Sequence, residues 1–465
     1  MSQSLEQLLH LAKQFSQQGD RLNVEKICQL ILQNFPENLQ ALELLSVNNL
    51  HQGNYEIAIS QLVQLAQKKQ TDVRAYLQLG EAYNALYEKE TAAHKLSTNL
   101  SNVIAAYRCA LAIEPDHIVA RYNLGTALYE QGQTAAAIKQ FETILLSQPH
   151  FRKAIYGLAF CQLALGNYQQ GFRAYLARDP SPQLTTYRAI KDQLYPQTKP
   201  WQGEDLLGHK ILLISEQGFG DSIQFIRYAK LVAESADKVF LVCPPELQRL
   251  ATSVVGLDAV FSHYDELPQH DFFCSLMDLP AFLKTDNNSI PQCIPYLAAD
   301  STALNKWQAR FQNVSALKVG ISWAGNKANS CDYKRSLALP QLKPLLEIEG
   351  VNFYSLQKDS LTEELDQYGI TDLIAECHDF NETAAALSQM DLIISVCTAT
   401  AHLAGALGKP VWIMLAATAD WRWLENREDS PWYPTAKLFR QPVSGDWDSV
   451  IKFVVEMLRH KVATP

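Results

Sequence analysis

Three short segments, each directly after an aliphatic run, carry the side chains best suited to chemistry. Residues 215–222, SEQGFGDS, follow ILLI and open a helical stretch that contains Asp221, with Gln217, Gly218 and Gly220 just before it. A carboxylate in the first turn of such a helix can take the proton of an attacking hydroxyl as a general base. The same position suits a residue that only caps the helix and offsets its dipole, and the spacing fits both roles. A dinucleotide fingerprint would need glycine where Ile223 stands.

The second segment, WAGNK at 323–327, brings Asn326 and Lys327 to the end of KVGIS, with Lys334, Arg335 and Ser336 close behind. Ammonium and guanidinium groups beside a Gly-Asn turn can offset the charge of a diphosphate, and they equally describe a solvated basic loop. The third, SVCTATAHLAGA at 395–406, places Cys397, Thr398, Ala399, Thr400 and His402 at a predicted helix start after DLIIS. Small residues there leave backbone N–H groups open to a pyrophosphate. His402 is read as a donor to the same ligand or as a structural histidine.

Two further features compete for attention. Asp446-Trp447-Asp448 has the spacing of a metal-holding carboxylate pair, but it opens the last predicted helix, where capping explains it. Trp421, Trp423, Trp432 and Tyr433 form an aromatic run, and Trp421 is taken as a surface for a base or sugar against the alternative of core packing.

These loops need a scaffold that presents strand ends to one cleft. From Lys210 the aliphatic runs ILLIS, KVFLVC and DFFCSL, then KVGISW, VNFYSLQ, DLIISV and PVWIML, alternate with helical stretches. Such alternation implies parallel sheets with crossover helices, and its two blocks predict two Rossmann-like lobes, 210–312 and 313–465. Ligands of such folds lie beyond the carboxyl ends of the strands.

The region before these lobes is repetitive. Units begin near Leu5, Leu39, Val73, Ile118 and Arg152, 34 residues apart except for about eleven extra in the third, around YEKETAAHKLSTNL. Leu124, Gly125, Ala137, Phe141 and Pro149 occupy tetratricopeptide (TPR) positions, and Gly53-Asn54 and Gly166-Asn167 read as turns between helices. The expected organisation is a helical TPR solenoid over 1–178 and a Pro-rich linker over 179–209. A stacked solenoid offers a concave groove for a protein or peptide partner, with a spacer or dimerisation surface as the alternative.

Composition narrows the classes. The chain has 465 residues, is 47% hydrophobic and carries a net charge of -9, which argues against a protein that tracks nucleic-acid phosphates. Nine scattered cysteines without CxxC spacing read as free thiols of a reducing compartment, hence a cytoplasmic protein with no metal site. The start has no signal-peptide pattern, and the apolar stretch 392–419 is broken by His402 and Lys409-Pro410. It is therefore expected to fold as strand, helix and strand and not to span a membrane.

With these residues in view, 201–459 resembles the heptosyltransferase-like enzymes of glycosyltransferase family nine, in the subgroup carried behind bacterial TPR repeats. The matching motifs are EQGFGDSIQFIRYA, VGISWAGN, RSLAL, FYSLQ, TATAHLAGALGKPVW and DWRWLENREDSPWYPTAKLFRQ. The domain order is similar to that of O-GlcNAc transferase. The resemblance implies a GT-B fold, inverting transfer without metal or other cofactor, and a nucleotide-sugar donor in the C-terminal lobe. It implies Asp221 as base and Thr398 and His402 as donor-phosphate ligands. Asn326, Lys327 and Gln357 are matched to the donor side, with Ala399 and Thr400 in the same helix start. Gln217, Gly218, Gly220, Arg335, Cys397 and Trp421 fall near the substrates. Where the family pattern has Asp before the Thr of the third loop, this chain has Cys397.

Overall fold

The computed structural model describes residues 4–89, 93–329 and 331–463. The chain divides into two compact units, one running to Gly157 and including Val443–Gly445, and one comprising Leu158–Pro442 and the segment from Asp446.

The first unit is a run of antiparallel helix pairs. Helices begin at Leu5, Leu39, Val73, Ile118 and Arg152, where the repeat register put them. Their partners span Arg21–Asn34, Tyr55–Lys68, Ala93–Ile113 and Thr134–Ser147. Three of these end two residues before Pro36, Pro115 and Pro149, because proline disfavours helical geometry in the residue before it. The extra residues of the third unit lengthen Val73–Lys89 to 17 residues and Ala93–Ile113 to 21, against 14 in most of the others. The part of the insertion at 90–92 lies outside the described residues.

Close packing explains the glycines of this unit. A Cβ on Gly125 would stand 2.8 Å from Phe141 Cε1, and one on Gly157 would stand 2.6 Å from Phe141 Cζ. Phe141, 1% exposed, is thus clamped between two helices that only glycine lets approach. Gly53 ends its helix at φ 83°, a left-handed cap that costs a residue without Cβ little.

The second unit contains two parallel sheets. The first holds β1 (Lys199–Pro200), β2 (Lys210–Ile214), β3 (Lys238–Val242), β4 (Ala259–Phe261) and β5 (Phe272–Ser275), ordered β1-β5-β2-β3-β4. The second holds β6 (Leu317–Ser322), β7 (Val351–Ser355), β8 (Thr371–Asp372), β9 (Leu392–Val396), β10 (Val411–Leu415) and β11 (Ala436–Arg440). Its order, β11-β10-β9-β6-β7-β8, is that of a doubly wound dinucleotide-type sheet. Every residue of β9 and β10 is buried, as strands covered by helices on both faces must be. The stretch 392–419 accordingly folds as β9, the helix Ala399–Ala406 and β10. Among the described residues, no helix is long and apolar enough to cross a membrane.

Two sequence expectations need correction. The 179–209 stretch is not a bare linker: Ser181 caps a helix, Pro182–Leu194, whose Leu184 and Tyr187 pack with Leu212, Ile214 and Phe273 of the first sheet. Pro182 stands at the first helical position, the one place in a helix where its missing N–H costs nothing. The helical part also stops being separate at Gly157, not at Arg178. Phe172 meets Phe225, Trp421 and Trp432 edge to face, with ring centroids 5.6–6.3 Å apart, so helix Tyr168–Tyr175 shares the core of the α/β unit.

Candidate functional site

Each sheet has a point where the strand order reverses, between β2 and β5 in the first and between β6 and β9 in the second. Pairing brings Ile214 opposite Ser275 and Ser322 opposite Ser395 at the carboxyl ends of these strands. The three chemically rich loops therefore emerge where an α/β sheet offers a crevice.

Asp221 lies in the first turn of helix Phe219–Phe225. Its Oδ2 accepts the Gly218 N–H at 2.9 Å, which is the capping role. Its Oδ1 meets Arg422 Nη2 at 2.5 Å, a contact that spans 201 residues of sequence. Arg422, 6% exposed, also donates to both Asp420 oxygens at 2.9 and 3.1 Å and to Gln224 Oε1 at 2.7 Å, and its guanidinium lies 4.3 Å over the Trp421 ring. One buried cation is thus shared by two carboxylates. Burial holds the Asp221 carboxyl above its ordinary range, although Arg422 and the Gly218 N–H oppose it. Burial also acts on Asp420, but Arg422 outweighs it and keeps that carboxyl low. Sequence reasoning missed Arg422; its position inside the matched motif DWRW was the available signal.

The third loop faces this pair. Thr398 is the N-cap of helix Ala399–Ala406, with its hydroxyl 3.1 Å from Ser395 Oγ, and the N–H groups of Ala399 and Thr400 fall in the first turn, where no intrahelical acceptor exists. His402 is 5% exposed, its Nδ1 is 2.9 Å from the Tyr433 hydroxyl, and its ring stacks on Trp423 at 5.2 Å. Burial, with the nearby guanidinium of Arg422, pushes the imidazole down to about 3, so it is neutral at physiological pH. A Cβ on Gly220 would stand 2.9 Å from His402 Cδ2, so glycine is what lets the Asp221 loop close on this helix. Cys397 Sγ accepts Trp423 Nε1–H at 3.0 Å, and burial raises its thiol to about 11, so it is a neutral group here.

The second loop is arranged differently from expectation. Asn326 accepts the Ala328 N–H at 2.9 Å and so turns its own loop, and Lys327 is exposed. The cation that reaches the third loop is Arg335, whose Nη1 donates to the Cys397 carbonyl at 2.9 Å while its Nε holds Asp332 at 3.1 Å. Gln357 is a splint: its Oε1 accepts from Trp323 N and Ala324 N at 3.1 and 2.9 Å. Gln217, at φ 63°, exchanges hydrogen bonds with the Tyr175 hydroxyl at 3.3–3.4 Å.

Trp421 does not offer a face to a ligand. It is 1% exposed and packs with Phe172, Tyr175, Phe225 and Trp432, and Trp423, Trp432 and Tyr433 are fully buried. Asp446 caps the last helix, accepting from Ser449 N at 3.1 Å and Ser449 Oγ at 2.7 Å. Among the described residues no group of three or more His, Cys, Asp or Glu is placed to hold a metal ion, and all nine cysteines are free. A cavity of about 430 Å³ lies outside this cluster, lined by Leu165, Gly166, Asn287, Leu424 and Arg427 among others.

Comparisons with known proteins bear on the two parts unequally. Residues 122–184 match the tetratricopeptide repeat family model. Protein FlbA of Caulobacter vibrioides is 25% identical over 431 residues, spanning 78% of this chain and 71% of that protein. Among solved structures, MamA is similar at 19% identity and a TM-score of 0.32, over 38% of this chain and 94% of that one. A thermophilic TPR protein of Thermus thermophilus, TTC0263, is similar at 19% identity and a TM-score of 0.31, over 40% of this chain and 96% of that one. The chain thus carries tetratricopeptide repeats, modules that suit protein or peptide binding, ahead of a region of parallel sheets.

Proposed function

We propose that the second unit is an inverting, metal-independent glycosyltransferase of GT-B type, moving a sugar from a nucleoside diphosphate to a protein or glycan acceptor chosen partly by the repeats. The observation that carries this reading is the contact between Asp221, from the first sheet's loop, and Arg422, beside the helix start at the second sheet's switch point. A carboxylate with a raised pKa is a better base near neutral pH than an ordinary aspartate. In this reading Asp221 takes the acceptor hydroxyl's proton as that oxygen attacks the anomeric carbon, and the sugar–phosphate bond breaks on the opposite side. The N–H groups of Ala399 and Thr400, the Thr398 hydroxyl, neutral His402 through Nε2 and the Arg335 and Arg422 cations stabilise the departing diphosphate.

A second reading, a non-catalytic scaffold, draws on the fact that both Asp221 oxygens are already bonded. One comparison separates the two. Wild type, Asp221→Asn and Cys397→Asp are assayed by mass spectrometry for transfer or donor hydrolysis across a donor panel, with donor binding measured in parallel. An enzyme keeps donor binding in Asp221→Asn and loses turnover by about 10² or more. Restoring the carboxylate at 397 raises or redirects its activity. Turnover by Asp221→Asn at the wild-type rate removes Asp221 from catalysis. Inert wild type and Cys397→Asp, with donor bound, leave the scaffold.

A further inference from the structure

We infer that Arg178 is a positioning residue, through which the end of helix Tyr168–Tyr175 sets the place of Asp221 in the cleft. The inference rests on the reading of Asp221 as the base.

Arg178 follows helix Tyr168–Tyr175 and is 7% exposed. It enters the carboxyl ends of β2 and β5, so the switch-point crevice of the first sheet holds the protein's own guanidinium. Nη2 bonds the Glu216 carboxylate and donates to Ser275 Oγ at 3.2 Å, and Nη1 bonds Asp278 Oδ1 at 2.5 Å. Glu216 is 1% exposed, and its second oxygen, Oε2, has no partner among the described residues. Its Oε1 is held by Arg178 and the Ser275 hydroxyl.

The line of contact to the base is short. Arg178 holds Glu216, Tyr175 holds Gln217, and the N–H of Gly218 holds Asp221. Consecutive residues of the loop, Glu216 and Gln217, are therefore held from the short segment between Tyr175 and Arg178, and the strained φ of Gln217 persists because the Tyr175 hydroxyl constrains it. Burial is the main cause that raises the Asp221 carboxyl, against Arg422 and the Gly218 N–H, and the charges of Asp420 and, least, Glu216 add to the rise.

The test uses the full chain as Arg178→Met, Arg178→Lys and Glu216→Gln. Hydrogen exchange of residues 215–222 is read without donor, and kcat, KM and the pH profile with a donor that wild type turns over. Arg178→Met is expected to speed exchange at 215–222 with helix 399–406 unchanged, and to cut kcat by about 10²-fold at constant donor affinity. Arg178→Lys keeps the charge and recovers part of the loss. Glu216→Gln keeps the hydrogen bonds but removes a neighbouring negative charge, so the acid limb of kcat moves to lower pH. Unchanged exchange at 215–222 in Arg178→Met overturns the inference, as does an unmoved acid limb in Glu216→Gln. If wild type turns over no donor, faster exchange at 215–222 still supports the positioning role, and only the transferase reading falls.

Discussion

The buried, neutral His402 makes stability depend on pH in a way that one substitution isolates. In the folded chain its pKa is lowered from 6.5 to about 3, chiefly by burial. The unfolded chain therefore takes up the proton first as the pH drops. The stability linked to this group is intact above 6.5, drains away as pH falls below that value, and stops falling near the folded pKa. Each pH unit below the unfolded value costs about 1.4 kcal/mol, so moving from about pH 7.5 to about pH 5 removes about 2 kcal/mol. The perturbation is His402→Phe, which keeps a ring against Trp423 and loses the titration together with the Tyr433 bond. Urea unfolding followed by tryptophan fluorescence reports the second unit alone, because all eight tryptophans lie at or beyond Trp201. The lost hydrogen bond lowers the variant equally at both pH values, and other titrating groups are common to both chains. The difference between their pH-dependent losses is therefore about 2 kcal/mol and belongs to His402. Parallel pH profiles for wild type and His402→Phe would refute the buried, neutral assignment.

Other perturbations test the packing around the site and in the repeats. Gly220→Ala sets a Cβ 2.9 Å from His402 Cδ2, and a cost of about 1–3 kcal/mol is expected in the same fluorescence assay, with weaker nucleotide binding; an unshifted midpoint would show that the loops do not close as described. Gly125→Ala sets a Cβ 2.8 Å from Phe141 and should lower the helical transition seen by far-ultraviolet circular dichroism by a comparable amount, whereas an unchanged melt would deny the clamp on Phe141.

Much of the architecture was legible because it rests on local rules. Glycine at helix crossings and proline after helix ends punctuate the repeats, so the starts at Leu5, Leu39, Val73, Ile118 and Arg152 followed from those prolines and the 34-residue spacing with one register break. The seven apolar runs became β2, β3, β5, β6, β7, β9 and β10, since a strand covered on both faces must be continuously apolar. The strands that went unread, β1, β4, β8 and β11, are two to five residues long or interrupted by charge, as edge strands tend to be. Pro182 misled because proline stops a helix in most positions and starts one in the first.

The loops that carry the site were visible in the sequence, and the company their side chains keep was not. Asp221 and Arg422 meet across 201 residues, and Arg178 reaches Asp278 across 100, so no local pattern could pair them. Whether Trp421 faced a ligand or the core, whether Lys327 or Arg335 reached the third loop, and whether His402 carried a charge all depended on burial. Burial is a property of how the two sheets and helix Tyr168–Tyr175 pack. The chain's residue types and their spacing determined which elements form and which loops end up at the strand tips. The tertiary structure alone decided which charges are taken out of water together, because desolvation and Coulomb attraction act across space and not along the chain.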